Sequence, residues 1–384
     1  MRNLLTLHLS LIDGVGPATI ARLQKQSPFE ELYSCTESDI IRNFHMSPKS
    51  AAIIANGLKD FNSLEHEVEL IQRNDIKWVT GEDAAYPSLL KEIDSPPAVL
   101  YYRGADLHTF DKNIAVVGSR LAGSYASEVV AAFTPSLIQF GWNIISGGAI
   151  GADTMAHDLA LKNGGRTVAI LGSGLLCPHP KSNKKLFEKI IQNGGSLVSS
   201  FKLMEGPFPG NFPARNRIIA GMSQACLVVQ AAERSGASIT AEFALNQGKH
   251  VFAVPGSIFD PLSAGCHALI KEGATPISSA KELLKELGEN IALLTEGSEV
   301  SPNPATSFEE KVKKGTGIQN KEIFQAPQNN SIPDSILFYC KNPLSIEDLL
   351  GYVNIDMQEL QDHLFDLQLS GQLEQNAVGL WQTL

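Results

Sequence analysis

The sequence is short of the residues that would make it a disulfide-linked, metal-bound or membrane-spanning protein. Its 384 residues include five cysteines, an odd number, and none forms a C-x-x-C pair or a zinc-ligand pattern. No apolar run is long enough to cross a membrane, and the N-terminal MRNLLTLHLSLI is interrupted by His8 and followed by no A-x-A-like cleavage site. We therefore predict no metal site and no membrane partner, and we expect a cytoplasmic protein.

Positive charge is also scarce, because 31 Lys and Arg stand against 41 Asp and Glu, which gives a net charge of −10. The deficit is unevenly distributed along the chain. Residues 334–384 carry eight acidic side chains and one lysine, whereas residues 79–288 have a net charge of +1. Since nucleic-acid affinity depends on positive charge, the middle of the chain is favoured over its C-terminal part as a binding surface for a polyanion.

The middle of the chain alternates β-branched runs with segments of helix length. Seven runs between residues 111 and 287 predict strands: NIAVVG, WNIIS, RTVAIL, SLVSS, ACLVVQ, HVFAV and ATPI. These runs do not alternate apolar with polar residues, which is typical of strands that are buried on both faces of a parallel sheet. We therefore predict an α/β fold, a doubly wound parallel sheet with helices on both faces.

Two other regions flank the predicted sheet. Residues 1–78 show helical apolar spacing and almost no strand pattern, and their LIDGVGPATIARLQ resembles a helix-hairpin-helix turn, although plain helical packing also explains it. Residues 334–384 predict three helices and a β-hairpin, the order of a winged helix. The segment 289–333 is rich in Gln, Asn, Ser, Pro, Glu and Lys, which predicts a flexible linker. The sheet domain is then 79–288.

Glycine-rich loops follow the predicted strands, at the edge where open α/β sheets bind ligands. In VVGSRLAGSYAS, Gly118 allows a sharp turn, and Ser119 and Arg120 precede a helix whose N-terminus favours phosphate. A second turn, SGGAIGAD, contains Gly147 and Gly148. The first loop does not complete a P-loop, because it lacks the lysine of that motif. A third glycine-rich stretch, LGSGLLCPHP, lacks the third glycine of a dinucleotide motif.

A possible acid–base pair follows the second glycine-rich turn. Asp153 lies in the first turn of the next predicted helix, and His157 lies one turn further on. The two could serve catalysis, but an aspartate at that place also complements the helix dipole, and residues four apart contact each other on a helix face. We favour the structural interpretation, and we predict no catalytic residue and no cofactor.

The stretch PFPGNFPARNRIIAG, residues 207–221, is the strongest candidate for contact with nucleic acid. Pro213 suits the first turn of a helix and would place Arg215 and Arg217 near its N-terminal end. The planar fork of an arginine suits phosphate, and the ring of Phe212 offers a face on which a nucleobase can stack. A core phenylalanine with two solvated arginines is the alternative. The neighbouring glycine-rich loops favour a strand of nucleic acid.

Six motifs occur in the order found in the DprA/Smf family of DNA-processing proteins, so residues 84–278 resemble that family: YPSLLKEIDSPPAVLYYRG, VVGSR, SGGAIGADTMAH, FPARNRIIAGMS, SGASITAEFALNQGKHVFAVPG and GCHALIKEGA. The resemblance implies an extended Rossmann-like core with an N-terminal SAM- or helix-hairpin-helix-like domain and a C-terminal winged helix. It also implies a protein that is not an enzyme, which binds and protects single-stranded DNA and helps load a RecA-type recombinase during DNA uptake in natural transformation.

The loops and the resemblance together predict a DNA-binding site. It comprises Gly118, Ser119, Arg120, Gly147, Gly148, Lys202, Asn211, Phe212, Arg215, Asn216, Arg217, Ser235 and Gly236. The chain departs from the family in three places. Many members have a lysine just before F-P-x-R-N-R, where this chain has 209–211, and Lys202 is expected to compensate in part. Members commonly have S-E-x-P where SSFKL begins here, and V-V-E-A where Gln230 stands, which leaves any reaction of those two carboxylates in doubt.

Two further expectations concern assembly and the alternative function. The resemblance implies a homodimer through the Rossmann core, and AKELLKELGENIALL carries an apolar helical face that would serve it, although packing onto its own sheet explains that face equally well. The alternative function is a Rossmann-type enzyme that binds a nucleotide or NAD-like cofactor. That function requires a complete phosphate fingerprint, an acidic ribose ligand and a matched acid or base, and the sequence offers none of them convincingly.

Overall fold

The structure, a computed structural model, describes residues 2–26, 28–233 and 235–291, and in the C-terminal part 332–340, 349, 353, 355, 357–370, 372–375 and 381–383. The chain divides into two compact units, 1–302 and 303–384. Most of the predicted linker 289–333 lies outside the described residues, as does most of the predicted helix SIEDLLGYV.

A nine-stranded, mostly parallel sheet organises the first unit. Its strands are β1 Lys77–Thr80, β2 Val99–Gly104, β3 Asn113–Gly118, β4 Asn143–Ser146, β5 Thr167–Ile170, β6 Ser196–Ser199, β7 Ala225–Gln230, β8 His250–Ala253 and β9 Thr275–Pro276. The spatial order is β1-β2-β6-β5-β4-β3-β7-β8-β9. The chain runs from β3 outward to β6, then crosses to β7 on the other side of β3. The topological switch point therefore lies between β3 and β7.

The seven predicted strands are confirmed, but the sheet has two more. β3 to β9 pair only in parallel with one another, whereas β1 pairs antiparallel with β2, and β2 antiparallel with β6. The sequence interpretation did not predict β1 and β2. β1 is a four-residue strand at the edge of the sheet, so its hydrogen bonds depend on a distant partner, and no local pattern signals them.

Both faces of the sheet are covered by helices. α7 Ser124–Gln139, α8 Ala152–Lys162 and α13 Ala280–Glu286 pack on one face, where they meet Ile114 and Val116. The other face meets four helices through Ala115 and Val117: α6 Ser88–Lys91, α10 Asn211–Gly221, α11 Gly236–Asn246 and α12 Ala264–Lys271. Successive residues of β3 thus point to opposite, equally apolar layers, which explains its continuous apolar run. Helix α9 is Lys184–Gln192.

The N-terminal helices also belong to the first unit, and they pack beside its sheet. They are α1 Arg2–Leu11, α2 Pro17–Gln24, α3 Glu37–Phe44, α4 Pro48–Gly57 and α5 Phe61–Arg73. One side of α1 places Leu5 and Leu9 in a small helical core, while Leu7 and Leu11 join a cluster that includes strand residues of β2, β5 and β6. Helix α1 therefore links the N-terminal helices to the sheet.

The second unit is described only in part. It contains α14 Ile332–Tyr339, α15 Met357–Leu369, and an antiparallel pair formed by β10 Leu373–Gln375 and β11 Trp381–Thr383. Leu360, Leu364 and Leu367 form the buried stripe of α15, as their helical spacing predicts. The winged helix itself stays a prediction. Among the described residues, no helix combines the length and the apolar composition that crossing a membrane requires.

Candidate nucleic-acid interface

A cavity of about 440 Å³ opens beside β3 and β7, at the topological switch point. We call it the switch-point cavity. Its walls come from the end of β3 and the turn after it, from the start of α8, and from residues of α10 and α11. This is the edge at which open α/β sheets bind ligands, because the connections on either side of the switch point diverge and leave a crevice.

Close backbone packing shapes the turn after β3. The Ser119 N–H donates to the carbonyl of Gln230 at 2.7 Å, and the N–H of Ala152 donates to the carbonyl of Ser119 at 3.1 Å. A Cβ atom on Gly118 would lie 2.7 Å from that of Ala152. Gly151 has a φ of +81°, and a Cβ there would lie 2.4 Å from the Ser119 oxygen. The glycines therefore allow the loop and the start of α8 to touch.

Arg120 and Phe212 form a cation–π pair that lines the cavity. The guanidinium carbon of Arg120, an exposed residue, lies 5.0 Å from the centroid of the Phe212 ring. Phe212 follows the first residue of α10, and its ring makes an edge contact with that of His179 at 6.1 Å between centroids. Arg120 can bind a phosphate, and the ring can stack with an unpaired base, so one pair offers both kinds of contact that a nucleic-acid strand needs.

Arg215 is buried, in contrast to the solvent-facing ligand that the sequence suggests. Only 4% of the residue is exposed, and its Nη1 donates to the carbonyl of Ile170 at 3.0 Å. A Cβ atom on Gly147 would lie 1.4 Å from the same Nη1, so glycine makes room for the guanidinium. Burial lowers the pKa of Arg215 to about 10, an effect that the nearby Asp153 carboxylate opposes. The group is therefore charged at neutral pH.

Asp153 and His157 form a buried network around Arg215. The Asp153 carboxylate accepts the N–H groups of Gly147 and Ala149 at 3.1 and 3.2 Å. Burial raises the pKa of Asp153, and the Arg215 charge opposes that shift. His157 is fully buried with its Nδ1 2.7 Å from the Thr167 hydroxyl, and burial together with the Arg215 charge lowers its pKa to about 3. The Asp153 contacts hold the glycine-rich turn in place, and the His157 contact joins α8 to β5.

The switch-point cavity brings together eight of the predicted site residues: Gly118, Ser119, Arg120, Phe212, Arg215, Asn216, Ser235 and Gly236. Asn216 also ties two helices together, because its Nδ2 donates to the carbonyl of Gly236 at 3.0 Å. Gly147 lines a smaller adjoining cavity of about 90 Å³, together with Arg120 and Phe212.

The other four predicted residues line neither of these cavities. Arg217 donates to the backbone carbonyls at 94 and 95 and so holds the loop before β2. Gly148 packs over the Phe187 ring, with a φ of +64°. Asn211 is buried and donates to Glu205 at 2.8 Å. Arg217 and Asn211 are thus engaged in contacts within the protein, and Gly148 shapes the turn.

Lys202 lies in a third cavity, of about 570 Å³, which we call the acidic cavity. Its Nζ pairs at 2.6 Å with Asp13, whose side chain is 96% exposed. Glu67 and Glu205 line the same cavity, so carboxylates outnumber the lysine there. The structure therefore places Lys202 in a negative environment and away from the Arg120–Phe212 pair, where its expected compensation would have to act.

Some residues of the site were not predicted. Asp153 lines the cavity, whereas the sequence pattern placed it at a helix start or in a possible acid–base pair and not in the DNA-binding site. Leu262 also lines it, from the short 3-10 helix Pro261–Ser263, which Asp260 caps. Gln230 donates to the Asp260 carboxylate at 2.8 Å. A glutamate at 230, common in relatives of this motif, would place two carboxylates together, so the glutamine suits this loop.

Comparison with known proteins identifies the family. Residues 77–288 match the model of the family described as DNA recombination-mediator protein A, which covers more than half of the chain. The chain belongs to the DNA recombination-mediator protein A family. This confirms the DprA/Smf resemblance of the six sequence motifs.

Individual members of the family support the same assignment. Protein Smf of Synechocystis is 37% identical over 303 residues, which span 76% of this chain and 74% of that protein. The X-ray structure of DNA processing protein A from Streptococcus pneumoniae is 34% identical, with a TM-score of 0.59 over 71% of this chain and 98% of that one. DNA processing protein A from Helicobacter pylori, a structure described for its single-stranded DNA binding mode, is 28% identical, with a TM-score of 0.50 over 55% and 95%.

Proposed function

We propose that this member of the DNA recombination-mediator protein A family binds and protects single-stranded DNA in the switch-point cavity. The observation that carries the proposal is the Arg120–Phe212 pair, which presents an exposed cation and an aromatic face together at the cavity. The binding of single-stranded DNA by the Helicobacter pylori relative supports the same ligand. We further propose that the bound strand is passed to a RecA-type recombinase during DNA uptake and natural transformation.

The chemistry of the pair favours unpaired DNA. Stacking on Phe212 needs an open base face, and a duplex keeps its base faces stacked on one another. Arg120 neutralises a phosphate of either form, so it contributes affinity, while Phe212 contributes the preference for a single strand.

Binding, and not a chemical reaction, is the function that the geometry supports best. Asp153 accepts two backbone N–H groups, and His157 is buried against Thr167, so both side chains are engaged in holding the fold. The alternative, a nucleotide- or NAD-dependent enzyme, needs an acid or base that is free to exchange a proton with a substrate, whereas the Asp153 carboxylate, although it lines the cavity, is occupied by two backbone N–H groups. We therefore propose a protein that is not an enzyme and that works in the cytoplasm without a cofactor.

A homodimer through the Rossmann core remains part of the proposal, but the helix suggested for it is already occupied. Leu283 and Leu284 of α13 are buried, and Leu287 and Ile291 pack against the same cluster, on the face of the sheet that α7 covers. The apolar face of residues 280–291 therefore packs within its own unit. A dimer surface must lie elsewhere on the core, and sedimentation at tens of micromolar tests whether the protein self-associates.

The proposed function is tested by titrating labelled oligo-dT and free mononucleotides in parallel. Tight binding of the oligonucleotide with weak binding of mononucleotides supports the proposal, whereas preference for a nucleotide or NAD contradicts it. Arg120→Ala should weaken oligonucleotide binding. Arg73→Ala removes an exposed arginine of α5 that pairs with Glu69 and serves as the matched control, which should bind like the wild type. Recombinase loading is tested by measuring RecA filament growth on oligonucleotides with and without the protein.

A further inference from the structure

A larger groove lies beyond the two small cavities of the site. Its volume is about 670 Å³, and we call it the apolar groove. Leu176, Pro178 and Pro207 contribute to its apolar walls, and the chain adds three cations to the lining: Arg103, Lys181 and Lys184. One acidic side chain, Glu188, lines it as well, 3.5 Å from Arg103. The groove therefore combines apolar surface with a net positive charge.

His179 connects the groove to the Arg120–Phe212 pair. The small cavity of about 90 Å³ shares Arg120 and Phe212 with the switch-point cavity, and it shares His179 with the apolar groove. The rings of His179 and Phe212 are 6.1 Å apart, and His179 is exposed. The three spaces thus form one continuous series along the surface, with an aromatic or imidazole ring at each junction.

Asn183 fixes the lysines of the groove relative to the site. It is buried, and its Nδ2 donates to the Gly148 carbonyl at 3.0 Å and to the Thr154 hydroxyl at 2.8 Å. Lys181 and Lys184 lie on either side of Asn183 in the chain, in the short 3-10 helix and at the start of α9. Asn183 therefore ties the backbone that carries the groove lysines to the glycine-rich turn beside the switch-point cavity.

The charges at the start of α9 are arranged for an anion. Lys184 and Lys185 occupy its first turn, which has no acidic residue, although the positive end of a helix dipole disfavours cations there. Lys181 and Lys184 are exposed and have no ion-pair partner among the described residues. A bound phosphate would relieve this repulsion. The acidic cavity around Lys202 has the opposite charge and would repel one.

We infer that single-stranded DNA leaving the switch-point cavity passes His179 and lies in the apolar groove. Phosphates are neutralised by Lys181 and Lys184, and bases cover the apolar walls at Leu176 and Pro178. This inference rests on the proposed function, and it adds a second binding segment and a direction: the strand runs toward α9 and away from Lys202.

The length of the oligonucleotide separates the inference from the proposed function. Oligo-dT of about 4 and about 16 nucleotides covers the range of site sizes of single-stranded DNA-binding folds. Lys181→Ala/Lys184→Ala should leave the short oligomer's affinity unchanged and weaken the long one. Losing two phosphate contacts should make the slope of log affinity against log salt concentration shallower by about 1.4. Between 50 and 200 mM salt, the fold-loss in affinity of the variant should therefore be about sevenfold smaller than that of the wild type. Lys162→Ala/Lys189→Ala, two exposed lysines at helix ends, is the matched control.

A second variant tests the groove without removing a lysine. A Cβ atom on Gly206, which lines the groove, meets no atom within 4 Å, so Gly206→Glu introduces a carboxylate there without a clash. Gly81→Glu adds the same charge at an exposed glycine that also has nothing within 4 Å, and it is the control. Gly206→Glu should weaken binding of the long oligomer only, whereas Gly81→Glu should bind as the wild type does.

The outcomes distinguish the two ideas. If the wild type binds the short oligomer but the groove variants bind the long one with unchanged affinity and salt slope, the inference is overturned while the proposed function stands, and the groove is left for an acidic, apolar peptide. If Lys181→Ala/Lys184→Ala weakens the binding of short and long oligomers equally, the inference is also overturned, because the lysines would then act on the switch-point cavity. A wild type that binds neither oligomer overturns both.

Discussion

The guanidinium carbon of Arg120 lies 5.0 Å from the centroid of the Phe212 ring, although the two residues are far apart in the chain. The contact joins the turn after β3 to the start of α10 across the switch point of the sheet. A cation and an aromatic face are thus presented together, and substitution of each residue should weaken DNA binding in a different way.

Arg120→Ala should reduce both the affinity for oligo-dT and its dependence on salt. One lost phosphate contact lowers the log–log slope by about 0.7 for a single strand. Fluorescence anisotropy at several salt concentrations measures both quantities. An unchanged slope together with an unchanged affinity would show that Arg120 does not contact DNA.

Phe212→Ala should weaken binding by about 1–3 kcal/mol, since it removes a stacking face and no charge. The salt slope should stay near that of the wild type, which separates this loss from that of Arg120. Phe212→Trp retains an aromatic face and is the control, expected to recover most of the affinity. Equal losses in the alanine and tryptophan variants would contradict stacking.

Gly147→Ala should displace Arg215 or destabilise the fold, because the new Cβ atom would lie 1.4 Å from Nη1 of that residue. Overpacking of this kind costs about 1–3 kcal/mol. Gly81→Ala, which meets no atom within 4 Å, is the control. Urea denaturation measures the free energy of unfolding of both variants, and equal values would show that the Arg215 side chain moves without cost.

His157 should make stability fall as the pH falls from about 6.5 to about 3. Burial and the Arg215 charge lower its pKa from 6.5 to about 3 in the folded protein, so in this window the unfolded chain binds a proton that the native state excludes. The loss should approach about 1.4 kcal/mol per pH unit for this one group.

Comparison with His157→Gln isolates that contribution, because Asp153, whose pKa burial raises, titrates in both proteins. As the pH is lowered, the free energy of unfolding of the wild type should fall relative to that of His157→Gln. A difference that does not change between pH 7 and pH 4 would show that the imidazole is not held neutral.

Deletion of residues 334–384 should leave the affinity for oligo-dT unchanged or raise it. This segment has eight acidic side chains and one lysine, so it repels phosphate, most strongly at low salt. The measurement is a titration of the full chain and the truncated chain at low and high salt. A large loss of affinity in a truncated protein that remains folded would assign DNA binding to this part of the chain.

The local patterns of the sequence were sufficient to predict the parallel part of the sheet. β3 to β8 are runs of mostly apolar residues that are buried on both faces. A run of that kind can be recognised in the sequence without knowledge of the strands it pairs with. The glycine-rich turn at Gly118 was also predictable, because a sharp turn after a buried strand has a local signature. β1 was not predictable in this way, since it is a four-residue edge strand whose pairing with β2 is a tertiary contact; β2 was missed although its run at 99–104 is apolar and largely buried, like those of β3 to β8.

The sequence by itself determined the chemistry available to the site: an arginine, a phenylalanine and flexible glycine turns placed after buried strands. The tertiary structure decided which charges face the cavity. Arg215 is buried against the Ile170 carbonyl, and Lys202 pairs with Asp13 in the acidic cavity, while Lys184 joins the apolar groove. The direction and the partner of a long cationic side chain depend on groups distant in the chain. The place where its positive charge acts is therefore decided only when folding brings those groups together.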